Sequence, residues 1–180
     1  LQTFKYYFVA IYTLEPDQEN LRFRGSAGPQ VSNQSEPPNG ESLEQPPEMR
    51  LPFFVHLGVG MIGHVAASGI EEIANDIACN PYYREMDALP QTRSEATLPL
   101  MINKRVLGVL DVQSNQLNAF DEMDMLVLHA LADHLAIAIE NARLYGDLRK
   151  HADQLSSIAE VSNAITSILD LDELLDVVVR

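Results

Sequence analysis

The sequence predicts an α+β domain built on antiparallel strands. Three observations carry that reading: two pairs of strand-like stretches are joined by turn chemistry, a long proline-free amphipathic helix follows them, and the strand–helix alternation of a parallel sheet is missing. A chain of 180 residues with 46% apolar side chains fits one domain, or one domain and a piece. A domain of that size buries about two-thirds of the surface its unfolded chain exposes, enough for a real core.

The run Thr3 to Tyr12 is apolar or aromatic on both parities. Phe4, Tyr6, Phe8 and Ala10 fall on one face and Tyr7, Val9 and Ile11 on the other, the pattern of a central strand. Glu15 to Asn20 is turn chemistry, and Leu21-Arg22-Phe23-Arg24-Gly25 alternates apolar with basic. The second strand of this hairpin therefore reads as a half-exposed edge. Between Pro29 and Pro52 the composition shifts to Pro, Ser, Asn, Gln and Glu. Residues 30–50 are expected to be a mobile loop, because their side chains bury too little to offset about 1–2 kcal/mol of ordering entropy per residue.

Met61 to Ser68 suits a short helix ended by Gly69, and Ile73 to Ile77 a short strand or irregular segment. A second hairpin spans Glu95 to Ile102 and Val106 to Ser114, turning at Asn103-Lys104-Arg105. From Asp121 to about Leu155 apolar residues recur at three-and-four spacing on one helical face, at Met123, Leu126, Val127, Ala130, Leu131, Leu135, Ala138, Ala142 and Tyr145. At 1.5 Å per residue this helix runs roughly 50 Å, so its C-terminal half is expected to project. Leu155 to Arg180 stays amphipathic, and Asp170-Leu171-Asp172-Glu173 reads as a break that caps a further helix.

The net charge, 12 − 26 = −14, works against binding phosphate backbones or anionic lipid, and Lys and Arg are scattered. No nucleic acid partner and no membrane span are expected; the longest apolar stretches fall far short of about 20 residues. One cysteine, Cys79, cannot form an internal disulfide, which points to a reducing, cytoplasmic compartment.

Gly58-Val59-Gly60-Met61-Ile62-Gly63 matches the dinucleotide fingerprint G-x-G-x-x-G, with acidic Glu71, Glu72 and Asp76 beyond it. The mechanism needs a longer helix and a parallel sheet, so a structural glycine turn is the better reading. The histidines, His56, His64, His129, His134 and His151, show no metal-ligand spacing, and no nucleophile elbow or P-loop is present. Cys79 lacks a neighbouring base or cationic cluster. These observations predict no metal, no cofactor and no enzymatic activity.

Three stretches resemble the GAF domain family: Gly58 to Gly69; Ile73-Ala74-Asn75-Asp76 with Pro81-Tyr82-Tyr83; and Arg93 to Leu100 through Gly108-Val109-Leu110-Asp111-Val112-Gln113-Ser114 to Phe120 and Glu140-Asn141-Ala142-Arg143-Leu144-Tyr145. The resemblance implies an antiparallel sheet of five or six strands with helices on one face. On the other face it implies a pocket covered by a loop and short helix. Residues 1–148 would form such a module without its customary first helix. Residues 149–180 would be a linker helix and the opening helices of a following domain. Asn115-Gln116, Phe120 and Asp124-Met125 match the cyclic-nucleotide subfamily only in part, Cys79-Asn80 lacks the histidine that follows a bilin cysteine, and one cysteine falls short of the reductase subfamily's several.

What the resemblance implies is a non-catalytic sensory module in a multidomain signalling protein; a structural dimerisation module with a filled pocket is the alternative. The neighbouring domains would be another GAF, histidine kinase, cyclase or phosphatase domain. The expected ligand site lies between the sheet and the segment Gly60 to Arg93, with Tyr82, Tyr83, Arg93, Ser94, Glu95, Asp111 and Gln113 as candidates. The competing reading has Arg93 pairing with Glu95 or Asp111 to close the fold. Tyr145, Leu148, Ala152, Leu155 and Ala159 follow the 3, 4, 3, 4 spacing of a coiled-coil seam. They predict a homodimer that relays its state along the helix.

Overall fold

Strands β1 (Phe8–Leu14) and β2 (Asn20–Ala27) form the first hairpin of a computed structural model that describes residues 6–28 and 53–178, with side chains as far as Glu160. Its turn is shaped by Asp17, whose carboxylate accepts the backbone N–H groups of Glu19 and Asn20, while Gln18 takes a left-handed φ of 56°. The strand starts at Phe8. Tyr6 and Tyr7, placed in it by the sequence pattern, instead reach across the fold with their hydroxyls. The expected mobile loop at 30–50 lies outside the described residues.

A three-residue strand, β3 (Phe54–His56), pairs antiparallel with β2 through Leu21 and Val55. The expectation that β2 is an edge is therefore corrected. Val55 buries one side chain of a very short β-rich run, and pairing with it covers the open ladder of β2. Helix α1 (Gly60–Ser68) follows, closed by Gly69 in the left-handed conformation with its N–H on the Val65 carbonyl. The glycine motif serves this entry. Gly58 and Gly60 have positive φ, and a Cβ on Gly63 would strike the His56 carbonyl oxygen. It builds a turn and a close contact, as the reading against a nucleotide site requires.

Strand β4 (Glu72–Ala74), a single 3-10 turn (Ile77–Cys79), strand β5 (Ser94–Ile102) and strand β6 (Arg105–Ser114) complete the sheet, whose order is β3-β2-β1-β6-β5-β4 with every neighbour antiparallel. The β5–β6 loop is two residues, Asn103 and Lys104, both with φ > 0; Arg105 already belongs to the strand. Phe8, Ala10, Tyr12, Leu21, Val55 and Val109 pack with Ile62, Val65 and Ala66 of α1 and with Leu89, making the core on one side of the sheet. On the alternate parity Ala96, Leu98, Leu100, Leu110 and Val112 are equally buried.

Helix α2 (Glu122–Val178) begins on an Asp121 cap, the carboxylate accepting the N–H groups of Met123 and Asp124. It buries Met125, Leu128, Ala132 and Ala136, which corrects the expected face: Met123, Leu126, Val127 and Leu131 are exposed, because apolar residues occur on more than one side of this helix and spacing alone does not choose between them. The expected break at 170–173 is absent. Asp170-Leu171-Asp172-Glu173 contains neither proline nor glycine, and an aspartate alone is too weak a signal to end a helix with leucines on both sides. The chain divides into two compact units, Leu1–Ala138 and Ile139–Arg180. The second is helical throughout its described residues, and Arg143 pairs there with Glu140 and Asp147. Among the described residues no helix is long and apolar enough to cross a membrane.

Candidate functional site

The face of β5 and β6 that meets α1 carries acids and amides in an otherwise apolar core. Register sets the arrangement: Glu95 stands opposite Gln113 and Thr97 opposite Asp111, so the two acids lie on a diagonal of one face. Glu95 is 2% exposed, and Thr97 and Asp111 are fully buried. The Thr97 hydroxyl lies 3.2 Å from Glu95 Oε1 and 3.4 Å from Asp111 Oδ1, and Gln113 Nε2 donates to Asp111 Oδ2 at 2.9 Å.

From there a polar chain leads outward. The Thr92 hydroxyl donates to Gln113 Oε1 at 2.6 Å, and the Tyr7 hydroxyl lies 2.6 Å from it. Among the described residues no Lys, Arg or His forms an ion pair with either acid. Burial accordingly pushes both carboxyls up. Asp111 rises from 3.8 to about 6, its hydrogen bonds from Gln113 and Thr97 opposing the rise, and Glu95 rises further under the added repulsion of Asp111. Tyr83 is pushed up to about 12, first by burial and then by Glu95.

Of the seven candidate residues, the structure brings Glu95, Asp111 and Gln113 together and sets the half-buried Tyr83 near Glu95. Tyr82 is exposed and stacks on His64 with ring centroids 3.7 Å apart. Ser94 points to the opposite face, where its hydroxyl holds the Gln116 carbonyl. Arg93 is exposed and uses its backbone to bridge Ile77 and Ser114. It does not pair with Glu95 or Asp111, because it precedes β5, and strand alternation does not govern where its side chain goes. Cys79 is exposed, its sulfur 4.0 Å from an Asp76 oxygen.

Sequence reasoning missed Thr92, Thr97 and Tyr12. The Tyr12 side chain is fully buried beside the acids, both of which push its hydroxyl up after burial itself, yet that hydroxyl has no hydrogen-bond partner among the described residues. A tyrosine where a phenylalanine would satisfy a core strand is the one signal the sequence held. Tyr12→Phe is expected to leave the stability unchanged or raise it by up to about 1 kcal/mol, since it removes an unsatisfied buried group. A loss of stability in chemical denaturation would show that the hydroxyl has a partner.

The covering segment is also tied to the start of α2. Asn75 donates to the Phe120 carbonyl and accepts its N–H, Asn118 donates to the Asn75 carbonyl, and the Tyr6 hydroxyl donates to Asp124. The model of the GAF domain matches residues 2–140. The chain belongs to the GAF domain family. Protein YtsP of Bacillus subtilis is 35% identical over 91 residues, and an uncharacterised sensor-like histidine kinase of Chloroflexus aurantiacus 32% over 80. The matches take in 51% and 44% of this chain but only 52% and 13% of those proteins.

Among solved structures, the GAF domain of a phosphoenolpyruvate-protein phosphotransferase from Coxiella burnetii superposes with a TM-score of 0.61 at 19% identity, over 78% of this chain and 76% of that one. The free methionine-R-sulfoxide reductase of Neisseria meningitidis, solved with its substrate, gives 0.60 at 26%, over 78% and 71%. A reductase from Thermoplasma acidophilum gives 0.59 at 22%, over 76% and 81%. The expectation that the chain has no enzymatic activity is corrected by these neighbours. The absence of a catalytic motif in the sequence argues nothing against activity in a fold whose similar members include enzymes.

Proposed function

We propose that this GAF module is a small-molecule-binding regulatory domain whose ligand donates hydrogen bonds to the Glu95–Asp111 pair. The observation that carries the reading is the pair itself. Two acids buried without a cation cost stability, and a core seldom retains such groups without a use. The Neisseria reductase, solved with its substrate bound, supports looking first among free amino acids, and the Chloroflexus relative supports a sensory setting.

The module works as a homodimer in this reading. Tyr145, Leu148 and Leu155 are 65–74% exposed, and Ala152 and Ala159 are exposed with them, which leaves the seam open to the same stripe of a second copy. The helix then carries the state of the site to a neighbouring domain of the parent protein, such as another GAF, histidine kinase, cyclase or phosphatase domain.

The test is thermal unfolding with a panel of free amino acids, including methionine and both methionine sulfoxide epimers, with turnover of each sulfoxide measured alongside in the presence of a thiol reductant. At least one member is expected to raise the midpoint in the wild type, and Glu95→Gln and Asp111→Asn are expected to abolish that rise. A panel that shifts nothing, or variants that respond like the wild type, would sink the site. Sedimentation showing a monomer unaffected by Leu155→Glu would sink the dimer.

A further inference from the structure

We propose that the Glu95–Asp111 pair holds one proton while the site is free, and releases it to solvent when a cationic group of the ligand takes its place. The inference rests on the small-molecule reading of the same site. Its geometry is specific. Two ionised carboxylates offer each other no donor, and these two are buried within reach of one shared hydroxyl, so a proton on one of them relieves their repulsion. The Thr97 hydroxyl has a single proton and can donate to only one acid at a time, although it lies within reach of both. The Gln113 amide serves Asp111 alone, which leaves Glu95 the acid short of donors.

Among the described residues nothing around the pair supplies the missing positive charge. Tyr12 and Tyr7 face it from β1 and the residue before it, and Tyr83 and Thr92 from the covering segment; all three phenols are pushed up and stay neutral. The only titratable group of α1, His64, is stacked on Tyr82. Two negative charges in such a place are far costlier than one, so the free pair keeps a net charge of −1 by retaining a proton, which burial favours placing on Glu95. An ammonium bound between two ionised carboxylates gives −2 + 1, the same −1. The buried charge is therefore conserved, the ammonium keeps its own protons, and the Glu95 proton goes to solvent.

Binding of an amine should then strengthen about tenfold per pH unit while the pH lies below the upper titration step of the free pair. Two measurements test this. Infrared spectra of the ligand-free chain at neutral pH should show a protonated-carboxyl band that Glu95→Gln removes. Calorimetric titration with L-methionine-R-sulfoxide in phosphate and in Tris should give heats that differ by the release of one proton per molecule bound. The N-acetyl derivative, which lacks the cation, should not bind. Absence of the band, or binding with equal observed heats in the two buffers, overturns the exchange while the ligand-binding reading stands. If no member of the amino-acid panel binds, both fall.

Discussion

Replacing Gly108 by alanine is expected to cost about 3 kcal/mol of stability, near the upper end for a single added methyl group. Gly108 lies in β6 between two partners, Thr13 of β1 and Leu100 of β5. A Cβ there would strike the carbonyl oxygen of Tyr12. The obstacle is backbone held in the ladder, so no side chain can swing aside to relieve it; β1 must move, taking Tyr12 with it. Denaturant midpoints of the wild type and Gly108→Ala would measure the loss. Equal midpoints would mean that β1 and β6 stand further apart here than the register implies.

The second large effect is a pH dependence of stability that belongs to the acid pair. Asp111 has a folded-state pKa raised from 3.8 to about 6. The folded state thus holds the proton more tightly than the unfolded chain. The stability this contributes is complete below 3.8 and is lost as the pH climbs through about 6. Glu95 is displaced in the same direction and extends the loss to higher pH. At 1.36 kcal/mol per pKa unit, the Asp111 displacement alone corresponds to a loss on the order of 3 kcal/mol. Asp111→Asn should therefore match the wild type in acid and become progressively more stable than it towards neutral pH. A difference that stays constant across the range would mean that Asp111 titrates in the fold as it does in the unfolded chain.

Much of this architecture was legible because turns and helix ends are written locally. Asn103-Lys104, Asp17 and Gly69 each mark a reversal or a stop by their own backbone preferences, and the three-and-four spacing shows that α2 is a helix but not which face it buries, since Met125, Leu128, Ala132 and Ala136 are buried and Met123, Leu126, Val127 and Leu131 are exposed. The second strand's neighbour was not legible, since β3 is three residues long and periodicity needs more than that to declare itself. Within the site, alternation along β5 and β6 correctly grouped Glu95, Asp111 and Gln113 on strands. It could not show that Tyr12 two strands away from β5, or Thr92 outside the sheet, would close around them. Such meetings depend on strand order, which pairwise patterns do not encode. Arg93 shows the same limit from the other side: one residue before the strand, its parity with Glu95 means nothing.

Cys79 gives the molecule an experimental handle. It is the chain's sole cysteine, it is exposed, and it sits in the 3-10 turn within the covering segment. A thiol-reactive dye or spin label attached there needs no engineered site and meets no competing thiol. Ile77, two residues earlier, is bonded through its N–H to the Arg93 carbonyl at the foot of β5. A reporter on Cys79 therefore rides on backbone anchored two residues from Glu95, while the label itself stays in solvent. Motion of the cover relative to the sheet can then be followed spectroscopically in the unmutated sequence.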